Sequence, residues 1–411
     1  CATYGIKAYL SNRVTSTPTL SFAVLSRKTG GAVVITASHN PPDWNGFKFK
    51  PEYAGSASPE IVAELEKYIF EAQMSEFPEL ISIDSAKTDG LLEEFNPLPP
   101  YLDQISRFVN LDAIRNSGLR IAIDSMHGAG TDSLVALTGG FQSHVIGLRT
   151  DPNPDFPGMS QPEPIGHNLI STSEFVIANR MDVAIANDGD ADRLGVIDEH
   201  GHFITTLQTF TLLCLHLLEN RGERGAIVKS LTQSGMIDKL GAIYKIPVHT
   251  TGVGFKYLGP LMMKKNALAA GEESGGYAFR GNIPERDGLL SGLLFLELLV
   301  RTGRRPSELI KSLYETTGPH HYDRWDIDLT EGKRIRPLES IVKNAPGELS
   351  GFQIKKIDST DGIRFLLKDG FWGLIRPSGT EPLLRLYAEA DSHTAVQTML
   401  RELHELAIED A

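Results

Sequence analysis

The sequence predicts an α/β protein with parallel or mixed sheets, and three observations support this fold class. Short runs of apolar and β-branched residues recur, a turn rich in Gly or Asp follows each run, and a helical pattern then begins. This alternation is typical of α/β architecture. Hydrophobic residues make up 41% and charged residues 22% of the 411 residues, as in ordinary globular chains. Disordered and fibrous classes are therefore excluded.

Four apolar runs are the clearest predicted strands. They cover residues 32–36, 119–123, 183–186 and 226–228. In open α/β sheets, ligands collect at the carboxyl ends of the strands. The turns that follow these four runs are therefore where we expect functional side chains.

The length predicts about three domains at roughly 150 residues each, and the local composition refines this number. Residues 84–100 are polar and contain prolines, a mostly apolar helix is predicted over 205–223, and residues 319–326 resemble a linker into an α+β unit. We predict four domains on this basis. They are domain I (1–109), domain II (110–208), domain III (209–321) and domain IV (322–411).

Charge and cysteine content exclude several classes of protein. The net charge is −12, which disfavours nucleic acid as a partner because such binding needs a basic surface. Two cysteines, Cys1 and Cys214, cannot form a disulfide framework and fit a reducing compartment.

No apolar stretch approaches the ~20 residues of a membrane span, and no signal peptide is evident. We expect a cytoplasmic protein without a membrane partner, and the missing initiator Met predicts that the chain begins inside a longer gene product.

The turn after the first strand contains Ser38 and His39, and Lys48 follows shortly afterwards. A serine at such a turn can act as a nucleophile or phosphoryl carrier, and neighbouring cations can stabilise anionic oxygens. The alternative is structural. Ser38 would then cap a helix, and Asn40-Pro41 would form a simple turn.

The turn after the third strand carries three carboxylates at alternate positions, Asp188, Asp190 and Asp192. Such a set can converge on one Mg²⁺ ion, whereas an acidic surface turn is the alternative. The spacing also matches the start of an EF-hand, but that loop needs Gly at its sixth position, where this chain has Arg193. We therefore reject an EF-hand and predict that Arg193 contacts an anionic ligand beside the metal.

Two later turns suit sugar and phosphate groups. Glu272 and Ser274, in residues 271–276, offer a carboxylate and a hydroxyl of the kind that bind sugar hydroxyls. Residues 376–382 combine a guanidinium, two hydroxyls and a glycine backbone, a set that can bind an anion. Alone, residues 271–276 are more typical of a capped turn, and residues 376–382 are equally compatible with a Pro/Gly turn between strands.

Taken together and in this order, the four loops resemble those of the α-D-phosphohexomutases, the phosphoglucomutase/phosphomannomutase family. The motifs are Thr-Ala-Ser-His-Asn-Pro at 36–41, Asp-Gly-Asp-Ala-Asp-Arg at 188–193, Gly-Glu-Glu-Ser-Gly-Gly at 271–276 and Arg-Pro-Ser-Gly-Thr-Glu-Pro at 376–382. The resemblance covers nearly the whole chain and is closest to bacterial-type phosphoglucomutases. It implies three related α/β/α domains with mixed sheets and a C-terminal α+β domain around a central cleft.

The resemblance also implies roles for individual residues. Ser38 would carry a phosphoryl group and, with Asp188, Asp190 and Asp192, hold one Mg²⁺. Glu272 and Ser274 would bind the sugar. The substrate's existing phosphate would be bound by four residues of the last loop, Arg376, Ser378, Gly379 and Thr380.

Three cationic groups, Arg193, His39 and Lys48, would neutralise the transferred phosphoryl group in this interpretation. Lys48 is our candidate acid/base, on the expectation that neighbouring cations lower its pKa. Arg286 stands where some relatives have a lysine, and we expect it to contact phosphate instead because arginine is a poor acid.

The implied reaction interconverts hexose 1-phosphate and hexose 6-phosphate through a phosphoserine and a hexose 1,6-bisphosphate, which also serves as activator. The second Glu of residues 271–276 favours glucose over glucosamine phosphates, and a phosphomannomutase or dual-specificity enzyme is the alternative. A metal-dependent sugar phosphatase and a non-catalytic sugar-phosphate sensor also stay open. We expect a monomer or dimer, and an N-terminal part of the family's first domain that this chain lacks.

Overall fold

The computed structural model describes residues 1–329, 334–378 and 383–409. The chain divides into two compact units. The first comprises Cys1–His202 and Gly276–Val300, and the second comprises Phe203–Gly275 and Arg301–Ala411. Along the described ranges, none of the helices is both long enough and apolar enough to cross a membrane.

Domain I contains two small two-stranded sheets and four α-helices. Its elements are β1 Ala8–Ser11, α1 Thr17–Arg27, β2 Gly31–Ile35, β3 Phe47–Pro51, α2 Pro59–Gln73, α3 Ile83–Thr88, β4 Leu92–Phe95 and α4 Leu98–Ser106. Strand β1 pairs in parallel with β4, and β2 pairs antiparallel with β3. The Ser16 side chain caps α1, whose second residue is proline, so the first turn of this helix is firmly defined.

Domain II has the predicted mixed sheet. Its elements are α5 Leu111–Arg115, β5 Arg120–Asp124, α6 Ser133–Thr138, β6 His144–Leu148, α7 Ile170–Asn179, β7 Val183–Asn187, β8 Leu194–Ile197 and β9 Phe203–Ile204. Strands β6 and β7 flank β5 in parallel, and β8 runs antiparallel to β7. Every residue of β7 and β8 is buried. The loop that joins these two strands therefore starts from the interior of the domain.

Domain III repeats the α/β pattern, and its first helix begins three residues before the predicted boundary at 209. Its elements are α8 Thr206–Leu215, β10 Ile227–Ser230, α9 Met236–Tyr244, β11 Val248–Thr251, α10 Phe255–Lys265, β12 Ala269–Gly271, β13 Tyr277–Phe279, α11 Gly288–Thr302 and α12 Pro306–Thr317. Strands β11 and β12 flank β10 in parallel. The helix predicted over 205–223 is shorter. It begins with a capping box at Thr205, and a π-helical turn at His216–Asn220 ends it.

Domain IV is the predicted α+β unit. Its elements are β14 His321–Asp328, β15 Arg334–Ile335, α13 Leu338–Lys343, β16 Glu348–Leu349, β17 Phe352–Asp358, β18 Ile363–Leu367, β19 Trp372–Pro377, β20 Leu383–Ala390, α14 His393–Ala407 and β21 Ile408–Glu409. The main sheet has the order β14-β20-β19-β18-β17-β16. Its apolar face packs against α14 through buried residues that include Met399, Leu403 and Phe365.

Candidate active site

The metal loop, residues 188–193, joins β7 to β8 and holds three buried carboxylates. Asp188, Asp190 and Asp192 are at most 2% exposed, and they offer oxygens that lie within 4.8 Å of one another. Asp188 Oδ1 accepts hydrogen bonds from the backbone N–H groups of Asp192 at 2.8 Å and Arg193 at 3.0 Å. The sequence-predicted set therefore converges because the loop folds back on its first side chain.

These carboxylates fit a divalent cation. Within the described part of the chain, Asp188 Oδ2 and Asp192 Oδ1 are buried without a hydrogen-bond partner. Burial, with Asp192 and Asp190 nearby, raises the pKa of Asp188 well above its ordinary value. Buried like charges at this spacing are unfavourable unless a cation offsets them, and oxygen ligands of this kind suit Mg²⁺.

Ser38 contacts the metal loop directly. Its hydroxyl donates to Asp190 Oδ1 at 3.0 Å, and its backbone has a left-handed φ of 56°. A Cβ atom at Gly189 would clash with the Ser38 carbonyl oxygen, so glycine is what permits this close approach. Thr36 supports the turn by accepting from the Ser38 N–H at 2.9 Å. The alternative of a helix cap at Ser38 is not what the structure contains, since residues 37–46 form no helix.

Lys48 lies beside the same carboxylates, and its protonation differs from our expectation. Strand β3 pairs Lys48 with Val34 of β2 and directs its Nζ to 2.7 Å from Asp190 Oδ2 and 3.3 Å from Ser38 Oγ. Burial alone would lower the pKa of Lys48, but Asp190 and Asp192 outweigh it, so the pKa is raised. The expectation of a lowered pKa is wrong because these carboxylates are nearer than we inferred.

Buried Arg193 and half-buried His39 form a pair next to the metal loop. Arg193 Nη1 donates to Glu163 Oε1 at 2.9 Å, and Nη2 lies 2.9 Å from His39 Nδ1. The Arg193 guanidinium and burial lower the pKa of His39 to about 2. The expectation that His39 supplies positive charge is therefore wrong. His39 is a neutral hydrogen-bond partner of Arg193.

Arg286 also contacts the metal loop. Its Nη2 lies 2.8 Å from Asp192 Oδ2. The adjacent Glu285 is fully buried and accepts from Lys50 Nζ at 2.5 Å and from the Ser56 hydroxyl at 2.6 Å. Although burial opposes ionisation, Lys50 and Arg286 lower the pKa of Glu285 to about 2. This buried ion pair secures the segment that carries Arg286.

Sequence reasoning missed four residues that support this site, namely Thr17, Lys50, Glu163 and Glu285. The Thr17 hydroxyl donates to Asp190 Oδ2 at 2.5 Å from the first turn of α1. A signal existed for two of them. Glu163 stands between two prolines, and Lys50 follows Lys48 by two residues in β3. Their partners are distant in sequence, so neither signal identifies a contact.

Asp287 anchors the helix that follows Arg286. It accepts from the Tyr101 hydroxyl at 2.7 Å, from Asn282 at 2.8 Å and from the Leu290 N–H at 2.9 Å. Burial raises the pKa of Asp287 to about 6 despite these hydrogen bonds. The folded protein therefore retains this proton at pH values where the unfolded chain has lost it.

This difference predicts a pH-dependent stability. Because the pKa of Asp287 is raised in the folded state, the stability that its bound proton contributes is lost as the pH rises from about 4 through about 6. Above that range the contribution of Asp287 no longer changes with pH. Relative to Asp287→Asn, the wild-type free energy of unfolding should fall by about 2 to 3 kcal/mol over this range. Urea unfolding of both proteins at several pH values measures it. Asp132→Asn, at an exposed cap that makes no side-chain capping bond, is the control. A pH-independent difference between wild type and Asp287→Asn would contradict the prediction.

The predicted sugar-binding and phosphate-binding residues lie in the second unit. Glu272 is buried, and its Oε1 accepts from the Gly254 N–H at 2.7 Å. Ser274 is half-buried two residues further on. At the end of β19, Arg376 Nε donates to Asp361 at 2.9 Å, and the Ser378 N–H donates to the Leu383 carbonyl at 2.8 Å. Gly379 and Thr380 lie outside the described residues.

Glu273, the residue on which the preference for glucose over glucosamine phosphates was based, has partners within the protein. Its carboxylate accepts from the Tyr322 hydroxyl at 2.7 Å and lies 3.5 Å from Arg324 Nη1. The Glu273 side chain therefore also joins domain III to β14 through these two contacts.

Family models and relatives agree on where this chain belongs. Models of the phosphoglucomutase/phosphomannomutase α/β/α domains I, II and III match residues 1–76, 99–201 and 207–317, and that of the C-terminal domain matches 327–406. This chain belongs to the phosphoglucomutase/phosphomannomutase family. It therefore has three α/β/α domains with mixed sheets and a C-terminal domain.

Similar members of the family carry several substrate names. A phosphoglucomutase/phosphomannomutase of Thermococcus kodakarensis is 32% identical over 96% of this chain and 81% of its own length. A phosphoglucosamine/phosphogalactosamine mutase of Sulfurisphaera tokodaii is 31% identical over 98% and 85%. A solved structure from Thermus thermophilus, which carries a phosphomannomutase name, has a TM-score of 0.84 at 33% identity, over 98% of this chain and 84% of that one. The chain is a member of the phosphohexomutase family, and the names of these relatives refer to several different sugars.

Proposed function

We propose that this protein interconverts hexose 1-phosphate and hexose 6-phosphate, with glucose phosphates as the first candidates. The observation that carries this proposal is the contact of the Ser38 hydroxyl with Asp190, one of three buried carboxylates that fit a divalent cation. The resemblance of the sugar loop (residues 271–276) and the phosphate loop (residues 376–382) to those of the family supports it. A phosphomannomutase or dual-specificity enzyme is the second candidate, and the names of the relatives favour keeping it.

The proposed reaction is a two-step phosphoryl relay. Phospho-Ser38 gives its phosphoryl group to the free hydroxyl of the hexose phosphate. The Ser38 Oγ–P bond breaks, a P–O bond to the sugar forms, and a proton passes from the sugar hydroxyl to the serine oxygen. The bound hexose bisphosphate then returns its other phosphoryl group to Ser38 by the reverse chemistry, which leaves the isomeric monophosphate. Free hexose 1,6-bisphosphate would act as activator by phosphorylating Ser38.

The chain's own side chains supply charge and positioning, which phosphoryl transfer mainly needs. Lys48 Nζ lies 3.3 Å from Ser38 Oγ, and on this distance, not on a lowered pKa, we assign Lys48 to relay the proton of the sugar hydroxyl to the serine oxygen as it leaves. Arg193 and Arg286 would bind phosphoryl oxygens, and neutral His39 would orient Arg193. Asp188, Asp190, Asp192 and a phosphoryl oxygen on Ser38 would hold Mg²⁺. When bound, Mg²⁺ would neutralise charge that develops on the phosphoryl group.

We assign substrate binding to the remaining predicted residues. Glu272 and Ser274 would bind sugar hydroxyls, and Arg376 and Ser378, with Gly379 and Thr380, would bind the phosphate that is not transferred. This division explains why the reaction needs both loops. One would bind the ring, and the other would bind the phosphate that is not transferred.

A coupled assay of the full chain with Mg²⁺ and a catalytic amount of hexose bisphosphate tests the proposal. Glucose, mannose and glucosamine 1-phosphates are compared, and we expect the highest kcat/KM for glucose 1-phosphate. A higher kcat/KM for mannose or glucosamine 1-phosphate would reassign the sugar. Release of inorganic phosphate faster than isomerisation would indicate a phosphatase. Binding of glucose 1-phosphate in calorimetry without turnover of any substrate would indicate a sensor.

A further inference from the structure

Asp361 lies in the turn between β17 and β18, against the start of the phosphate loop. Its neighbour Gly362 has a φ of 86°, and a Cβ atom there would lie 2.5 Å from the Ile375 carbonyl oxygen. Only glycine therefore allows the turn to approach β19 so closely. From this position Asp361 Oδ1 accepts from Arg376 Nε at 2.9 Å. The two side chains are 26% and 17% exposed, so water screens their ion pair only partly.

The second oxygen of Asp361 contacts domain III. Asp361 Oδ2 accepts from the Val253 N–H at 2.9 Å, and the next amide, Gly254 N–H, donates to Glu272 Oε1 at 2.7 Å. Two carboxylates therefore bind successive N–H groups of one turn. This turn begins α10, and the positive end of the helix dipole favours both negative charges.

We propose that Asp361 is a positioning residue that links the phosphate loop to the sugar loop through the turn at Val253 and Gly254. The proposal rests on the proposed function, because it takes Arg376 as a ligand of phosphate and Glu272 as a ligand of sugar hydroxyls. Asp361 has one oxygen on each partner. A displacement of Arg376 is therefore transmitted to the turn, and from the turn to Glu272.

The consequence is preorganisation of both ligand-binding groups. An arginine side chain has many rotamers, and fixing it before the ligand arrives removes that entropy cost from binding. The bond to Nε also sets the plane of the guanidinium, which decides which oxygens its Nη groups can reach. Loss of Asp361 should therefore weaken substrate binding although Asp361 itself touches no substrate.

The test measures the dissociation constant of glucose 1-phosphate by calorimetry, in a Ser38→Ala background that blocks turnover. We expect Asp361→Ala to raise the dissociation constant about tenfold, or about 1.4 kcal/mol. Asp361→Asn should have a smaller effect, because its single oxygen can serve only one of the two partners. Asp358→Ala is the matched control. Asp358 lies at the end of β17, and among the described residues it accepts hydrogen bonds only from the nearby Thr360. The Asp358→Ala variant should therefore bind glucose 1-phosphate with an unchanged dissociation constant.

A double-mutant cycle separates positioning from a general structural role. If Asp361 acts through Arg376 as well as through the turn, Asp361→Ala should weaken binding less in the Arg376→Ala background than in the chain that keeps Arg376, and the remaining loss is its effect on Glu272. Additive losses, or an unchanged dissociation constant in Asp361→Ala, would overturn the positioning role. If Arg376→Ala itself binds normally, the phosphate assignment in the proposed function fails, and the positioning role fails with it. If Asp361→Ala does not fold, Asp361→Asn enters the same cycle with the same criteria.

Discussion

Ser38→Ala should lower the turnover of hexose 1-phosphate by about 10⁴-fold or more, the scale on which removal of a covalent nucleophile acts. The variant has no oxygen on which to carry a phosphoryl group, so neither half of the relay can proceed. The coupled assay measures this loss. Calorimetry of the same variant should still detect glucose 1-phosphate, because the proposed sugar and phosphate ligands lie elsewhere in the chain.

Ser26→Ala is the matched control for this substitution. Ser26 lies near the end of α1 in the same domain, and its hydroxyl donates a long local hydrogen bond to the Ala23 carbonyl oxygen at 3.4 Å. We expect wild-type turnover from Ser26→Ala. Turnover at the wild-type rate in Ser38→Ala would contradict the relay.

Asp188→Asn should remove the response to Mg²⁺. In the wild type, saturating Mg²⁺ should raise the free energy of unfolding by about 2.7 kcal/mol at one hundred times its dissociation constant. The variant should lose this stabilisation and at least about 10²-fold in activity, the scale of losing a group that holds transition-state charge. Without metal, it should be at least as stable as the wild type, because one of three crowded negative charges is gone. Thermal unfolding with chelator and with Mg²⁺ measures both effects.

Asp198→Asn provides the comparison. Asp198, like Asp188, accepts hydrogen bonds from two backbone N–H groups of its own turn, those of His200 and His202, but it is not one of the three clustered carboxylates. Its response to Mg²⁺ should match that of the wild type. Equal unfolding temperatures of the wild type with and without Mg²⁺, together with full activity of Asp188→Asn, would exclude a metal role.

The sequence predicts the parts of the site that are local. Ser38 follows β2, and the three aspartates share one loop after β7, so strand endings and residue spacing are enough to select them. The antiparallel β2–β3 pairing brings Lys48 near Ser38 within one hairpin. These features need only short-range rules, and the fold class follows from the same patterns.

Contacts between distant segments could not be predicted in this way. Glu285 meets Lys50 across 235 positions, and Thr17 meets Asp190 across 173. No periodicity encodes such pairs, since tertiary packing selects them. The predictions of a charged His39 and of a lowered pKa for Lys48 were wrong for the same reason. A pKa depends on which charges lie within a few ångströms, and those charges come from Arg193 in one case and from Asp190 and Asp192 in the other.

The proposed relay requires Ser38 to carry the phosphoryl group during the reaction. Its most direct test is to incubate the full chain with Mg²⁺ and glucose 1,6-bisphosphate, quench it with acid, and map the added phosphoryl group by peptide mass spectrometry. We predict one phosphoryl group, located on Ser38, that is lost when glucose 1-phosphate is added and is absent from Asp188→Asn. A fully active enzyme without phosphate on Ser38, or with the phosphoryl group on another residue, would contradict the account.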